Sequence, residues 1–280
     1  MSKEITVVKL NGEKEPFSSK KVFGSARRAG ASEKLAEKIT KRIEEEVYPG
    51  IKTSEIFQKI EGILLRENLQ TAIKYNLKES LKKLGPTGFP FEKLIYAIFK
   101  ERGFKARINP KIKGDCCAYE LDFLAEKKNI LYLGECKFRH LPDGRVHSDT
   151  ALANHARFLD IKRGKWAKDK RIKSILVTNN KFTSKAKRYS NCVGVGLLSW
   201  KYPKGENLSS FIEKQQLYPI TILPSLTRKS AAKFAEQKIM LAENILRKDP
   251  AEVSQRTGIP KWRIEKIIKE AEALFNVDKG

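Results

Sequence analysis

Two short patterns in this chain carry residue types that could do chemistry together. Glu120-Leu-Asp122 is followed, after twelve intervening residues, by Glu135-Cys-Lys137. Carboxylates brought together from adjacent strands are hard-oxygen ligands for a divalent cation such as Mg²⁺ or Mn²⁺, which keeps waters for substrate and nucleophile. Lys137 is two residues beyond Glu135, so on a strand both project to the same side. There its ammonium could stabilise charge developing on a phosphorane or orient the attacking water. Glu92, on a preceding helix, could add a carboxylate at the edge. The bland alternative is two solvated strand faces, and with 32% of residues charged the spacing alone favours it. Two features reverse that weighting. Both sets lie on predicted strands with apolar residues on the opposite faces. Glu135 and Lys137 also interrupt the otherwise apolar run Ile130–Phe138, expected to be central, where charge is costly unless paired or metal-bound.

The elements that must position these groups can be read from periodicity. Phe91, Leu94, Ile95, Ile98 and Phe99 form a helical stripe over about 90–102, which Gly103 ends. A strand is expected near 105–108. Tyr119–Ala125 alternates, with Tyr119, Leu121 and Phe123 on one side and Glu120, Asp122 and Leu124 on the other. Ile130–Phe138 is a strand and 150–168 a helix. Ile172–Thr178 is a buried strand, 184–189 a helix and 193–200 a further strand. Strands alternating with helices imply an α/β sheet with at least one parallel pair. Before this segment, Ile5–Leu10 and Glu13–Phe17 read as strands joined at Asn11–Gly12, a two-residue hairpin signal. Helices follow over 20–30 (capped by Ser18 or Ser19), 33–47, 53–67 (capped by Thr53) and 69–83. Gly85–Gly88 reads as a linker. From Pro224 the chain is helical, over 227–236, 242–246, 250–257 and 261–275. The expected divisions are residues 1–86, 87–219 and 220–280.

Composition narrows the partners. The 57 Lys+Arg against 33 Asp+Glu give a formal net charge of +24 in 280 residues. Residues 138–223 hold 17 basic and 6 acidic residues, so nearly half of the excess lies there. A balance of this sign points to a polyanion, usually nucleic acid. A transmembrane span and a disulfide framework are excluded, because there is no long apolar run and only four Cys, two of them adjacent. The start of the chain lacks the apolar core of a signal peptide. The expectation is a soluble, cytoplasmic protein whose Cys116, Cys117, Cys136 and Cys192 are reduced packing residues. His140, His147 and His155 read as polar loop and helix residues, because no zinc spacing accompanies them.

Residues 88–200 resemble the restriction-endonuclease-like PD-(D/E)XK nucleases, in their Mrr-like branch. The matching pieces are Gly88-Phe-Pro-Phe-Glu92, Glu120-Leu-Asp122, Gly134-Glu135-Cys-Lys137 and Ile175–Ala186. The resemblance implies Asp122 and Glu135 as ligands for Mg²⁺, joined by the Cys136 backbone carbonyl, with Lys137 as the catalytic lysine and Glu92 in support. Mrr-like members often carry Gln at the place of Glu135, and the usual Pro before the Asp is Leu121 here. Residues 3–85 resemble an ATP-cone, the regulatory domain of ribonucleotide reductases and their transcriptional repressors. The resemblance rests on Val7-Val-Lys9-Leu-Asn-Gly12, Glu15–Val22, Gly50–Ile56 and Ala72–Tyr75. It implies ATP or dATP binding, with Lys9 and Lys21 on phosphates, Thr53 and Ile56 lining the base pocket, and Val7 and Glu15 as weaker candidates. A family Arg is replaced by Leu10. No Walker-type loop is present, so ATP hydrolysis is not implied. Residues 220–274 resemble a helix-hairpin-helix domain. Its second hairpin, Thr257–Pro260, would offer Gly258 and backbone N–H groups to a DNA phosphate, reinforced by Lys261 and Arg263. The alternative is a small helical bundle for docking or dimerisation.

These readings imply a restriction-endonuclease-like mixed sheet flanked by a mostly helical ATP-cone with a β-hairpin and an all-α C-terminal domain. The expected function is a Mg²⁺-dependent DNA endonuclease regulated by ATP or dATP, in a homo-oligomer. The alternative is a catalytically inactive, nucleotide-responsive DNA-binding regulator, and RNA ranks below DNA as substrate. DNA is expected along the basic stretch that contains Arg157, Lys185, Lys187 and Arg188.

Overall fold

The computed structural model describes residues 5–84, 88–139 and 144–276. Most of the expected linker at 85–88, and His140, lie outside them. The chain opens with an antiparallel hairpin, β1 (Thr6–Val8) and β2 (Lys14–Pro16). Its turn is wider than a two-residue loop: the Lys9 N–H donates to Glu13 O, and Gly12 takes a positive φ of 83°. Four helices' worth of sequence follows, as α1 (Ser19–Arg28), α2 (Glu33–Glu46), α3 (Thr53–Glu67), α4 (Leu69–Tyr75) and α5 (Leu77–Lys82). Ser18 caps α1 as expected. Thr53, expected to cap α3, is its first residue, and Lys52 holds the cap position without a side-chain bond. The single helix expected over 69–83 is broken at Asn76. Its amide donates to Glu61 Oε1 (2.6 Å) and Ala72 O (3.3 Å), competing with the helical ladder. Val7, Val22, Ile39, Ile43, Ile56 and Leu64 pack into one core here.

The helix α6 (Phe89–Glu101) buries its whole predicted stripe, Phe91 to Phe99. It is followed by β3 (Lys105–Ile108), the small hairpin β4 (Lys111–Lys113) and β5 (Ala118–Glu120), then β6 (Phe123–Lys127) and β7 (Ile130–Lys137). Tyr119–Ala125 is therefore two strands, interrupted at Leu121–Asp122. Leu121 packs with Leu124, Leu133 and Ile161 on one side, while Phe123 joins the α6 side, so the expected alternation fails there. Next come β8 (Arg145–Val146), α7 (Ser148–Arg163) with a 3₁₀ turn after it, β9 (Arg171–Thr178), β10 (Lys181–Phe182), α8 (Ser184–Val193) and β11 (Gly196–Leu198).

The main sheet has the order β11-β9-β7-β6-β3. Its β3–β6 and β6–β7 pairs are antiparallel, and β7–β9 and β9–β11 are parallel. A mixed sheet with β7 at its centre explains the apolar run at Ile130–Phe138, because β7 is covered on both faces. Helix α6 covers one face and α7 with α8 the other. The chain ends in α9 (Leu208–Lys214), α10 (Arg228–Glu236), α11 (Pro250–Thr257) and α12 (Lys261–Phe275). Leu226, Phe234, Ile264 and Ile267 from this region bury into the same core as Phe91, Ile95 and Ile98 of α6. Gln70 of α4 also donates to Leu274 O (2.9 Å), so the last helix is tied to the N-terminal helices. Among the described residues no helix is long and apolar enough to cross a membrane. Of the cysteines, Cys136 is buried, whereas Cys116, Cys117 and Cys192 are exposed and are not packing residues.

Candidate active site and nucleotide cavity

Register brings the two sequence patterns together. Phe123 pairs with Gly134, so Asp122 enters β6 beside Glu135 on β7. Gly134 allows this crossing: a Cβ there would collide with the Phe123 ring. The Asp122 carboxylate is held by the Cys136 N–H, which donates to Oδ2 at 2.5 Å. Glu135 is buried, at 6% exposure, and both of its oxygens have cationic partners. Lys137 Nζ lies 2.6 Å from Oε1, and Arg157 of α7 is paired with Oε2. Arg157 also lies over the Tyr119 ring, 5.9 Å from its centroid. Beyond the site, Thr178 Oγ1 donates to Lys137 O (2.6 Å). The Asn179 side chain accepts from Arg139 N and donates to Arg139 O, at 2.8 and 2.9 Å, which fixes the strand end.

The electrostatics of these groups are uneven. Burial, then the Glu135 charge, pushes the Asp122 carboxyl up to about 6, against the opposing pull of the Cys136 N–H and Lys137. Burial, then Asp122 and Glu135, pushes Glu92 at the start of α6 up to about 7. The cations therefore compensate Glu135, and Asp122 and Glu92 are left repelling it. A set of three carboxyls with two nearby cations is a set of hard oxygen donors with incompletely compensated negative charge, which fits a divalent cation. The three side chains do not close into one tight trio with ligand atoms all within 4.8 Å. Cys136 pairs with Val177 on β9 and buries its thiol on the α6 face, where desolvation pushes the thiol pKa up. Glu120 stands apart, exposed and accepting weakly from Asn109 at 3.4 Å. Among the described residues, Asp115, Cys116 and Asp160 do approach one another closely. There Asp160 accepts the Cys116 and Cys117 N–H groups (2.9 and 3.2 Å), which hold its carboxyl down at about 2 and explain the cluster as a turn clamp.

The N-terminal candidates also converge. Val7, Glu15, Lys21, Thr53 and Ile56 line one cavity of about 220 Å³. Lys9 is tied to it through Glu15, whose Oε2 takes Lys9 (3.1 Å) and Lys21 (3.0 Å) together. Sequence reasoning missed the aromatic wall. Phe57 and Tyr75 stack with ring centroids 4.6 Å apart, and both line the cavity. Burial pushes the Tyr75 phenol up to about 12. The i, i+4 step from Thr53 to Phe57 on one helix was the available signal.

The expected DNA contacts are scattered in kind. Lys185 and Arg188 are exposed on α8, and Lys187 lies over Tyr202, 4.6 Å from the ring centroid. Arg157 is turned inward onto Glu135, as described above. Gly258 adopts φ 62° at the end of α11. Its N–H donates to Ser254 O, and the Ile259 N–H to Thr257 Oγ1, so these turn amides are engaged within the protein. Lys261 is exposed beside Glu265 (3.9 Å), whereas Arg263 donates to Ser225 O (3.1 Å) and braces the C-terminal core. His155 pairs with Tyr189 (2.8 Å).

Comparison with known proteins agrees with part of this picture. The ATP cone domain model matches residues 5–78, and the model for the AF1548-like C-terminal region matches 218–275. An uncharacterized protein of Archaeoglobus fulgidus is 36% identical over 128 residues, covering 45% of this chain and 69% of the relative. The crystal structure of a protein of unknown function, AF1548, superposes with a TM-score of 0.59 at 26% identity, over 69% of this chain and all of that one. The MspJI restriction endonuclease, solved with a 27-mer oligonucleotide, gives a TM-score of 0.30 at 14% identity over 85% of this chain and 48% of that one, too loose a superposition to bear on chemistry. The chain carries an ATP-cone domain and belongs to the family of the uncharacterized Archaeoglobus fulgidus protein.

Proposed function

We propose that this protein is a metal-dependent endonuclease acting on DNA and regulated by a nucleotide bound in its ATP-cone. The observation that carries the reading is the meeting of Asp122, Glu135 and Lys137 at the end of the central strand, with Glu92 beside them. Asp122 and Glu135, with the Cys136 carbonyl, would hold Mg²⁺ or Mn²⁺, which supplies Lewis-acid activation of a phosphodiester and its attacking water. The chain's own groups do the rest. Lys137, held by Glu135, presents its ammonium to the phosphoryl charge or to the water. Glu92, with a carboxyl poised near neutrality, can exchange a proton with water at the edge of the site. Lys185, Lys187 and Arg188 lie in the most basic part of the chain and draw the phosphate backbone towards it, while Arg157 is taken up by Glu135. On the regulatory side, Lys9 and Lys21 contact phosphates, and Thr53, Ile56 and the Phe57–Tyr75 pair receive the base of ATP or dATP. We further propose a nucleotide-dependent homo-oligomer, for which light scattering with and without nucleotide is the test.

One observation favours a second reading, an inactive DNA-binding regulator: both Glu135 oxygens are engaged by cations of the chain itself. Plasmid cleavage with Mg²⁺ or Mn²⁺, with and without ATP or dATP, separates the two. The endonuclease reading requires cleavage by the wild type that is lost in Asp122→Ala and Lys137→Ala. Equal rates in all three proteins would refute the site. Salt-sensitive DNA binding without cleavage by the wild type would establish the regulator.

A further inference from the structure

A second cavity, of about 290 Å³, lies against the back of the nucleotide cavity. Ser25, Phe57 and Tyr75 line both, so the stacked aromatic pair forms part of a common wall. On the far side the lining comes from two parts of the molecule. Arg28 of α1, Lys74 of α4 and Lys78 of α5 approach from the N-terminal helices, and Trp200, Lys201 and Glu213 from the chain that follows β11. Four cations thus surround this space with one carboxylate. No ion pair joins any of the four to a carboxylate among the described residues.

The fold holds these charges together at a cost. The Lys78 side chain has exposed surface, yet its ammonium is held below its ordinary pKa, first by desolvation and then by Lys181, Lys82 and Lys201. Desolvation pushes the Glu213 carboxyl up against the pull of Arg28, and it is one carboxylate among four cations in the lining. Cations that repel one another around an open space are relieved by a multivalent anion, and phosphate oxygens accept from lysine and arginine in many geometries. Trp200, Phe57 and Tyr75 also line the cleft and give it aromatic surface, which a purine or pyrimidine ring can pack against.

We infer that this cleft is a second ligand site, taking the phosphates of a nucleoside triphosphate or a free oligophosphate, distinct from the ATP-cone cavity behind it. The inference rests on the cleft's own lining and not on the nuclease reading. A ligand there touches the N-terminal helices and the sheet segment at once, so it ties the ATP-cone to the core. The shared wall makes each site sensitive to occupation of the other.

Isothermal titration of the full chain with ATP, and separately with tripolyphosphate, tests this in the wild type and in Lys21→Gln, Lys78→Gln and Lys201→Gln. The wild type is expected to bind two equivalents of ATP. Lys78→Gln and Lys201→Gln should each weaken one event by about tenfold, the loss expected for one charge-assisted phosphate contact. Lys21→Gln should weaken the other event. Tripolyphosphate binding that depends on Lys78 and Lys201 assigns the site to the phosphates alone. If ATP binds twice and tripolyphosphate does not bind, the base is also required. A single equivalent of ATP, weakened alike by Lys21→Gln and Lys201→Gln, would show one continuous site and overturn the inference. So would affinities unchanged in Lys78→Gln and Lys201→Gln, or no binding by the wild type. Lys201 is exposed, so its variant keeps the fold and the comparison stands.

Discussion

Replacing Asp122 by Asn should stabilise the metal-free protein by an amount that grows as pH rises from about 4 and is complete above about 6. The carboxyl is pushed from its ordinary 3.8 to about 6 by burial and by Glu135. Its charged form is thus disfavoured in the fold, and the wild type loses stability as pH rises from about 4 to above 6. A displacement of about 2 pH units corresponds to ~3 kcal/mol at most. Asp122 retains solvent access, and screening reduces the figure to about 1–2 kcal/mol. Asn keeps an oxygen to accept the Cys136 N–H, so the 2.5 Å contact need not be lost. In a chain of this length the gain corresponds to a melting temperature higher by roughly 2–5 °C at pH 8. The assay is thermal unfolding in chelator at pH 3.5, pH 5 and pH 8, with Asp122→Asn beside the wild type. The difference should be full at pH 8, about half of that at pH 5, where only the unfolded-state carboxyl is ionised, and near zero at pH 3.5, where both states are protonated. Adding Mg²⁺ or Mn²⁺ at pH 8 should raise the wild type and leave the variant unmoved. A variant less stable than the wild type at pH 8, or equally stabilised at pH 3.5 and pH 8, would refute the account of mutual repulsion at the site.

Four further outcomes follow from the same geometry. Gly134→Ala drives a Cβ into the Phe123 ring and should cost about 1–3 kcal/mol, seen as a lower urea midpoint, while also moving the adjacent Asp122. Arg157→Gln removes a cation that competes for Glu135 Oε2, so Mn²⁺ affinity measured by titration should rise several-fold; an unchanged affinity would show that Arg157 does not compete. Metal binding must displace a proton from Asp122, so affinity should climb between about pH 5 and 7 and level off above; a flat profile would exclude Asp122 as a ligand. Asp160→Asn should lower the melting temperature at pH 7 and expose the 114–117 turn to protease, because the native carboxylate, held down at about 2, clamps two backbone N–H groups.

The parts of the fold legible in the sequence were those with a strong period or a strong stop signal. The stripe from Phe91 to Phe99 gave α6, and Asp249–Pro250 gave the start of α11. The site was legible in β7, because Glu135 and Lys137 share a face and interrupt an apolar run. It was less so at Asp122, where alternation suggested one continuous strand. The break at Leu121–Asp122 comes from tertiary packing: Leu121 and Phe123 are drawn to opposite layers, a preference absent from a local pattern. Long-range pairing was also invisible. Nothing near Arg157 announces Glu135, 22 residues away, and the charge of Arg157 alone suggested DNA. Likewise Arg263 looked like a phosphate contact, but the Ser225 carbonyl takes its guanidinium.

The net charge of +24 and the raised carboxyls of Asp122 and Glu92 look contradictory, since a positive chain should favour carboxylates. Distance resolves the contradiction. Charges beyond about 8–10 Å are largely screened at ordinary ionic strength, whereas burial and the neighbouring Glu135 act at short range. Lys137 and Arg157 are the close cations, and both are taken up by Glu135. The excess in residues 138–223 is therefore free to act outward on a polyanion. The local carboxyls remain undercompensated and available to a divalent cation. A site built this way needs both ligands to complete its charge balance. On that argument, metal and DNA should each bind more tightly in the presence of the other, and Asp122→Asn should abolish the coupling while leaving metal-free DNA binding unimpaired. Equal metal affinity with and without DNA would show that the basic region and the carboxylate site act independently.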